Sequence, residues 1–597
     1  MTKPNILFVN FPTLPFERLL DYFGGESVEE IQLHGEPLGI LHLSSYVKKY
    51  GNINNVEMLD FSIALLESKK YSNVDEFIRG VVREKVKTIP DIIACSINFT
   101  TSHPFMLKST EYLKKIWPNS IVIVGGNHAT NATTKLLNFD FIDYVARGEA
   151  EVAFCEFVNK IERKEQINIK GIYSKNNLPS NLKGKTVPKW IIGDGTFPAI
   201  NSDHLLDRCE SVDDLDDLPF PDWDLIDMET YATEQGRAAY IGVAADKRKA
   251  SLFTSRGCPF RCTFCATHTT FTRLLRYHSP KYICEQIKRL NKKYGITLFI
   301  IEDDLFTGNK KEIIAMLKAF KELYIHNFEL QFPNALSVNT LNEEVIDALV
   351  DAGMQSTEIA VESGNDFVQK NIIHKYVQLD KVKFWIDYFH SKKVTVKALF
   401  ILGFPNETKS QMYESINFAK YIKADWSIFN VATPLIGTEM YEEFIMKGCI
   451  TNEIDFLART DFRKRIFDTE EISANELNGL QYRANLDVNF INNPNLLSEN
   501  FEKALELYED VLGKYPWHII ALYCKKKCLE GMNKNYEADQ VMREIKELIL
   551  TNKRSQLMLL KYHDLMPELS SMKNSISKVS LNEKVLSDGL SIGTKTN

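Results

Sequence analysis

SLFTSRGCPFRCTFC, residues 251–265, runs from an apolar, strand-like stretch straight into a loop carrying three of the chain's ten cysteines. The spacing Cys258-x-x-x-Cys262-x-x-Cys265 puts three sulfur donors on one short turn. Soft thiolates suit iron–sulfur clusters and zinc. Three close ligands to a four-iron cluster leave one iron open to a small chelating molecule. Gly257 removes a side chain where backbone must approach such a cluster, and Pro259 stiffens the turn. Two other readings stand beside this one. Zinc needs a fourth ligand, which His268 could supply, although no second Cys-x-x-Cys pair follows. The cysteines could also be purely structural.

Outward from this loop, strand-like runs near 251–255, 297–302, 328–333, 356–361, 394–402 and 426–432 alternate with helical segments. Six such units predict an α/β architecture over 251–450, a partial (β/α)6 barrel open on one side. Residues 1–175 show a second series. Ile6–Asn10, Val56–Leu59, Ile92–Ile97 and Ile121–Val124 read as buried parallel strands, with helical spacing at Pro37–Tyr50, 74–87, 105–116 and 151–163. That repetition predicts a doubly wound, Rossmann-like sheet. Residues 176–250 read as a connector, with the acidic stretch SVDDLDDLPFPDWDL at 211–225. Beyond 450 the strand signal fades. Residues 451–570 read as a helical C-terminal region with one tetratricopeptide-like unit near 499–545. The Ser-, Lys- and Asn-rich end, 571–597, reads as disordered.

The 597 residues exceed a single core, and about 100–200 residues per domain suggests several units. A net charge of −7 gives no reason to expect nucleic acid or an anionic membrane as partner. MTKPNILFVN lacks the pattern of a signal peptide, and no run of 18 apolar residues appears, so a cytoplasmic protein without membrane spans is expected. Ten cysteines are too sparse for a disulfide framework. Cys524 and Cys528, one helical turn apart, read as buried thiols between helices rather than metal ligands.

The cysteine loop with its preceding Ser-Arg-Gly resembles the signature of the radical S-adenosylmethionine enzymes. The resemblance extends through RYHSPKYICEQIKRLNKKYGITLFIIEDDLFTGN (276–309), STEIAVESGND (356–366), VKALFILGFPNET (396–408) and VATPLIGTEMY (431–441). It implies that Cys258, Cys262 and Cys265 ligate a [4Fe–4S] cluster whose fourth iron is chelated by S-adenosylmethionine, which is cleaved reductively to a 5′-deoxyadenosyl radical. It places Phe264 by the adenine and Glu362 at the ribose or methionine amine, and it marks Gly403 as part of the cofactor-binding turn. Glu362 could instead serve the turn at Ser363-Gly364. Asp303 and Asp304 could contact substrate or cofactor, or cap the helix beginning near Lys310.

PLGILHLSSYVKKYGNINNVEMLDFS (37–62), ACSINFTTSHPFMLKSTEYLKKIWPNSIVIVGGNHATNA (94–132) and YVARGEAEVAFCEFV (144–158) resemble the cobalamin-binding domain found upstream of such barrels. The implied cobalamin contacts are Ser96, Thr100, Thr101, Gly125, Gly126, Asn127, His128, Gly148 and Glu149. Asp-x-His-x-x-Gly, whose histidine would sit beneath cobalt, is absent, and His103 and His128 read as polar loop residues. Together the resemblances imply a cobalamin-dependent radical methyltransferase acting on an unactivated carbon, or on phosphorus, of a small-molecule metabolite. A flavodoxin or ferredoxin would donate electrons, and the C-terminal helices could bind a protein partner. A radical cyclase or rearrangement enzyme, and a non-catalytic cobalamin or redox sensor, are the alternatives.

Overall fold

Alternation along β1 (Asn5–Asn10) sends Leu7 and Val9 into one buried cluster and Ile6 and Phe8 into another, so its sheet is covered on both faces. The structure, a computed structural model, describes residues 3–576 apart from 25–32, 34, 180–185, 189–195, 199–202, 204–205, 235–246 and 463. The first sheet adds β2 (Asn55–Asp60), β3 (Ile92–Ser96), β4 (Ile121–Gly125), β5 (Tyr144–Ala146) and β6 (Ile172–Tyr173). Its order is β2-β1-β3-β4-β5-β6, parallel except for β6. Strand order reverses between β1 and β3, which opens a crevice at the carboxyl ends. β5 and β6 escape the sequence reading because they are only three and two residues long.

The second series is β7 (Lys249–Leu252), β8 (Leu298–Ile301), β9 (Glu329–Gln331), β10 (Ser356–Glu362), β11 (Thr395–Leu402) and β12 (Trp426–Val431). β7, β8 and β9 form one parallel sheet and β10, β11 and β12 another. Isolated parallel bridges, Leu330 with Met354 and Leu336 with Ile359, link the two into an arc. The connector's acidic residues tie it to both units. Asp222 accepts from Ser44 Oγ at 2.6 Å and pairs with Lys48. Asp216 accepts from Ser279 N at 3.0 Å and contacts His278 Nδ1 at 3.1 Å.

The free edge of β12 would expose unpaired peptide groups. A helix, Ala474–Leu486, with its continuation Asp487–Ile491, runs along that edge. Gln481, Asn485, Asn489 and Asn493 recur every fourth residue and so share one face. Asn489 accepts from Ser427 N and donates to Ser427 O, both at 2.6 Å. Asn485 accepts from Phe429 N at 3.4 Å and donates to its carbonyl at 3.3 Å, and Asn493 donates to Asp425 O at 3.1 Å. Side-chain amides thus take the place of a seventh strand.

Helices Phe501–Lys514, Ile519–Gly531, Asn535–Thr551 and Lys553–Tyr562 stack behind this one around a core that reaches Trp426 and Ile428. Cys524 and Cys528 are buried in it. The stretch Pro567–Ser575 is helical, across the start of the segment read as disordered, and residues 577–597 lie outside the described residues. No described helix is long and apolar enough to cross a membrane.

Asn489→Leu would leave the Ser427 N–H and C=O unpaired. At about 1–3 kcal/mol for each of two buried unpaired groups, the loss should be about 2–6 kcal/mol. The expected outcome is a thermal unfolding midpoint several degrees lower. An unchanged midpoint would show that the helix docks without these bonds.

Candidate active site

The cysteine loop is anchored before it begins. Asp303, just past β8, accepts hydrogen bonds from Thr254 N (2.7 Å), Thr254 Oγ1 (2.5 Å) and Ser255 Oγ (2.6 Å). Ser255–Arg256 then pairs antiparallel with Arg276–Tyr277, closing the loop into a hairpin. Gly257 has φ +96°, and a Cβ there would lie 2.2 Å from Leu274 O, so only glycine fits this corner. Cys258, Cys262 and Cys265 face one cavity of about 680 Å³. Burial pushes the Cys258 and Cys262 thiols up to about 12 and raises Cys265, so a metal binding there must displace protons. Among the described residues, no three His, Cys, Asp or Glu side chains gather around a single ion position. Three thiols lining one cavity suit a cluster that places each on a different iron.

Facing the cysteines, Glu362 ends β10 at φ +66° and pairs with Lys375 at 2.5 Å, both side chains buried. Burial opposes the Lys375 charge, but the Glu362 carboxylate outweighs it and holds the ammonium pKa above its usual value. Glu362 does not serve the following turn, whose Gly364 N donates instead to Ser415 Oγ at 2.9 Å. Phe264 lies 5.7 Å from Phe404, ring to ring, with Lys375 Nζ 6.0 Å from the Phe264 centroid. Gly403, at φ +85°, shapes the next turn, donates to Glu407 Oε2 at 2.6 Å, and is not part of the cavity lining. Asp304 lines the cavity and accepts from Thr267 Oγ1 at 2.9 Å. Neither Asp303 nor Asp304 caps the helix Lys310–Lys321, since Asn309 does.

The same cavity is lined by Ser96, Thr100, Gly125, Gly126, Asn127, His128, Gly148 and Glu149, at the carboxyl ends of β3, β4 and β5. Thr101 is the exception: it is buried, is absent from the lining and donates to Thr13 O at 2.7 Å. Gly126 has φ +104°, and a Cβ there would lie 2.5 Å from Ile97 O. Gly39 presents bare backbone, with nothing within 4 Å of where its Cβ would be. This glycine-lined mouth fits a broad, flat ligand such as a corrin. His128 offers cobalt no free nitrogen, because its Nδ1 meets Thr100 Oγ1 at 3.2 Å and its Nε2 meets His103 Nδ1 at 2.9 Å. Both histidines are buried rather than loop-exposed. Burial lowers His103 to about 4 and holds His128 well below the usual imidazole value, so both are neutral.

Between these walls lies an ion network that the sequence reading missed. Arg256 donates to Glu149 Oε2 at 2.7 Å and to Glu151 Oε1 at 2.8 Å, and Arg276 donates to Glu149 Oε1. All four side chains are buried. Both Glu149 oxygens are therefore engaged by arginines, while the residue also lines the cavity. Partners more than 100 residues apart leave no local signal, and Lys375 likewise stands in no motif.

Comparison with known proteins adds three findings. The family model described as "Radical SAM superfamily" matches residues 252–419, and the "B12 binding domain" model matches residues 27–158. An uncharacterized methyltransferase of Pyrococcus horikoshii is 29% identical over 424 residues, 70% of this chain and 80% of that protein. The cytidylyl-2-hydroxyethylphosphonate methyltransferase of Streptomyces wedmorensis is 25% identical over 458 residues, 73% of this chain and 84% of that protein. Among solved structures, the cobalamin-dependent S-adenosylmethionine radical enzyme OxsB with aqua-cobalamin bound shares the fold, with TM-score 0.59 and 16% identity over 97% of this chain and 82% of that chain.

Glu149→Ala would leave Arg256 and Arg276 short of buried counter-charge, at a cost of about 3–5 kcal/mol. The expected outcome is a lower melting temperature together with less iron retained after anaerobic reconstitution. Wild-type values for both would contradict the coupling.

Proposed function

Because this chain is a radical S-adenosylmethionine enzyme with a B12-binding domain, its cofactors being a [4Fe–4S] cluster, S-adenosylmethionine and cobalamin, we propose that it transfers a methyl group to an unactivated carbon, or to phosphorus, of a small-molecule metabolite. The observation that carries this reading is one continuous cavity, lined on one side by the three cysteines and on the other by the loops of the first sheet. When bound, the cluster supplies the electron that cleaves S-adenosylmethionine, and cobalamin supplies a methyl-carrying cobalt.

The chain's own residues hold and orient. Cys258, Cys262 and Cys265 ligate three irons. Glu362, ion-paired with Lys375, accepts hydrogen bonds from the nucleoside's hydroxyl or amino groups. Phe264, backed by the buried Phe404, offers an aromatic face to the adenine. Ser96, Thr100 and Asn127 offer polar contacts to cobalamin, while Gly125, Gly126 and Gly148 let backbone approach it. Phe253, Phe271 and Leu305 line the space between and keep water from it. In this reading residues 1–175 are the cobalamin unit, 251–450 the partial barrel and 451–570 a buttress open to a protein partner. A flavodoxin or ferredoxin of the cytoplasm is the electron donor.

Anaerobically reconstituted protein given a reductant, an acceptor and S-adenosylmethionine labelled in its methyl group should place label in the product. It should form S-adenosylhomocysteine and 5′-deoxyadenosine together. Formation of 5′-deoxyadenosine with a transformed but unlabelled acceptor would replace methyl transfer with cyclisation or rearrangement.

A further inference from the structure

Arg465 lies beyond residue 419, where the radical S-adenosylmethionine match ends. It is 4% exposed and absent from the cavity lining. Its Nη2 donates to two carbonyls at once. One is Gly403 O, just past β11, and the other is Ala432 O, just past β12, at 3.0 Å. A single nitrogen thus fastens the ends of two neighbouring strands.

The guanidinium itself is held by rings and by the C-terminal region. Its central carbon lies 4.8 Å from the Phe444 centroid and 4.9 Å from that of Phe467, within range of a cation–π contact with each. Arg465 N donates to Asn478 Oδ1 at 2.8 Å, and Asn478 Nδ2 donates back to Arg465 O at 2.9 Å. Asn478 belongs to the helix Ala474–Leu486 that covers the β12 edge. Burial lowers the Arg465 pKa to about 10, so the group stays charged at neutral pH. A buried charge is expensive, and a planar fork seated against rings is a task that lysine does not share.

Both fastened strand ends lead to the same side chain, Phe264. On the β11 side, the Gly403–Phe404 peptide is gripped at both poles. Its carbonyl accepts from Arg465, and its N–H, that of Phe404, donates to Glu407 Oε2 at 3.0 Å. The Phe404 ring lies 5.7 Å from Phe264, centroid to centroid. On the β12 side, Ala432, Thr433, Ile436 and Met440 line the cavity. Met440 N donates to Thr263 O at 2.9 Å, one residue from Phe264. The two strand ends and the cysteine loop therefore form a closed circuit around the Phe264 ring, and Arg465 is the tie that closes it from behind.

We propose that Arg465 is a positioning residue for S-adenosylmethionine, fixing the spacing of the β11 and β12 ends around the adenosine without touching it. This rests on the reading of Phe264 as the adenine face. With the tie removed, the Gly403 and Ala432 carbonyls lose a shared donor, and the turn carrying Phe404 is free to move away from Phe264.

The test uses the full chain, reconstituted anaerobically with iron, sulfide and hydroxocobalamin and reduced with dithionite. The change in its electron paramagnetic resonance signal is titrated with the non-cleavable aza analogue of S-adenosylmethionine. Arg465→Met should raise the half-saturating concentration at least tenfold while iron and cobalamin contents stay at wild-type values. An unchanged half-saturation overturns the proposal. A wild-type signal that never responds to the analogue overturns the reading of the site, and this inference with it. Should Arg465→Met fail to retain iron, the unreduced wild-type protein decides through hydrogen exchange. Peptides covering residues 464–472 should exchange more slowly once S-adenosylmethionine is bound, although Arg465 is off the cavity wall. Protection confined to the cysteine loop would mean that the two are not linked.

Discussion

Arg256 is buried, and it sits two residues before the first cysteine of the loop. A buried guanidinium must be matched by carboxylates, and both of its carboxylates, Glu149 and Glu151, belong to the other sheet. The cysteine loop cannot take up its geometry without the first unit in place. The cobalamin-side loops in turn lose a fixed neighbour if the second unit moves. This reciprocal constraint makes one cavity out of two domains, and the connector's acids and the hairpin around Arg256 serve it.

The sheet elements were legible because buried parallel strands write themselves as β-branched runs. β10, β11 and β12 lie within three residues of the expected positions, and so do β1 to β4. The three-cysteine loop was legible because its ligands fall within eight residues. What remained hidden depends on distant partners. Lys375 gains meaning only beside Glu362, and nothing near Glu149 in sequence announces its two arginines, Arg256 and Arg276. Thr101, in sequence next to Thr100, turns away to the Thr13 carbonyl. The amide series Gln481, Asn485, Asn489 and Asn493 lay inside a stretch read only as a helical region, and nothing local says that its polar face covers a sheet edge.

The division of polar groups within the cavity follows a simple rule. Charges needed for architecture are paired: Arg256 with two glutamates, Lys375 with Glu362, Lys397 with Glu358. Groups left without partners, Asn430 and Ser337 among them, are those a ligand can satisfy. Three thiols held protonated by burial belong to the same class, since iron rather than a hydrogen bond completes them. The matches to the radical S-adenosylmethionine and B12-binding domain models agree with this division.

The central claim is that Cys258, Cys262 and Cys265 hold a four-iron cluster with one iron left for S-adenosylmethionine. Electron paramagnetic resonance of the anaerobically reconstituted, dithionite-reduced protein tests it most directly. The account predicts a [4Fe–4S]⁺ signal whose shape changes when S-adenosylmethionine is added, with nitrogen coupling from the methionine amine. A signal indifferent to S-adenosylmethionine, or a preparation holding zinc in place of iron and sulfide, would contradict it.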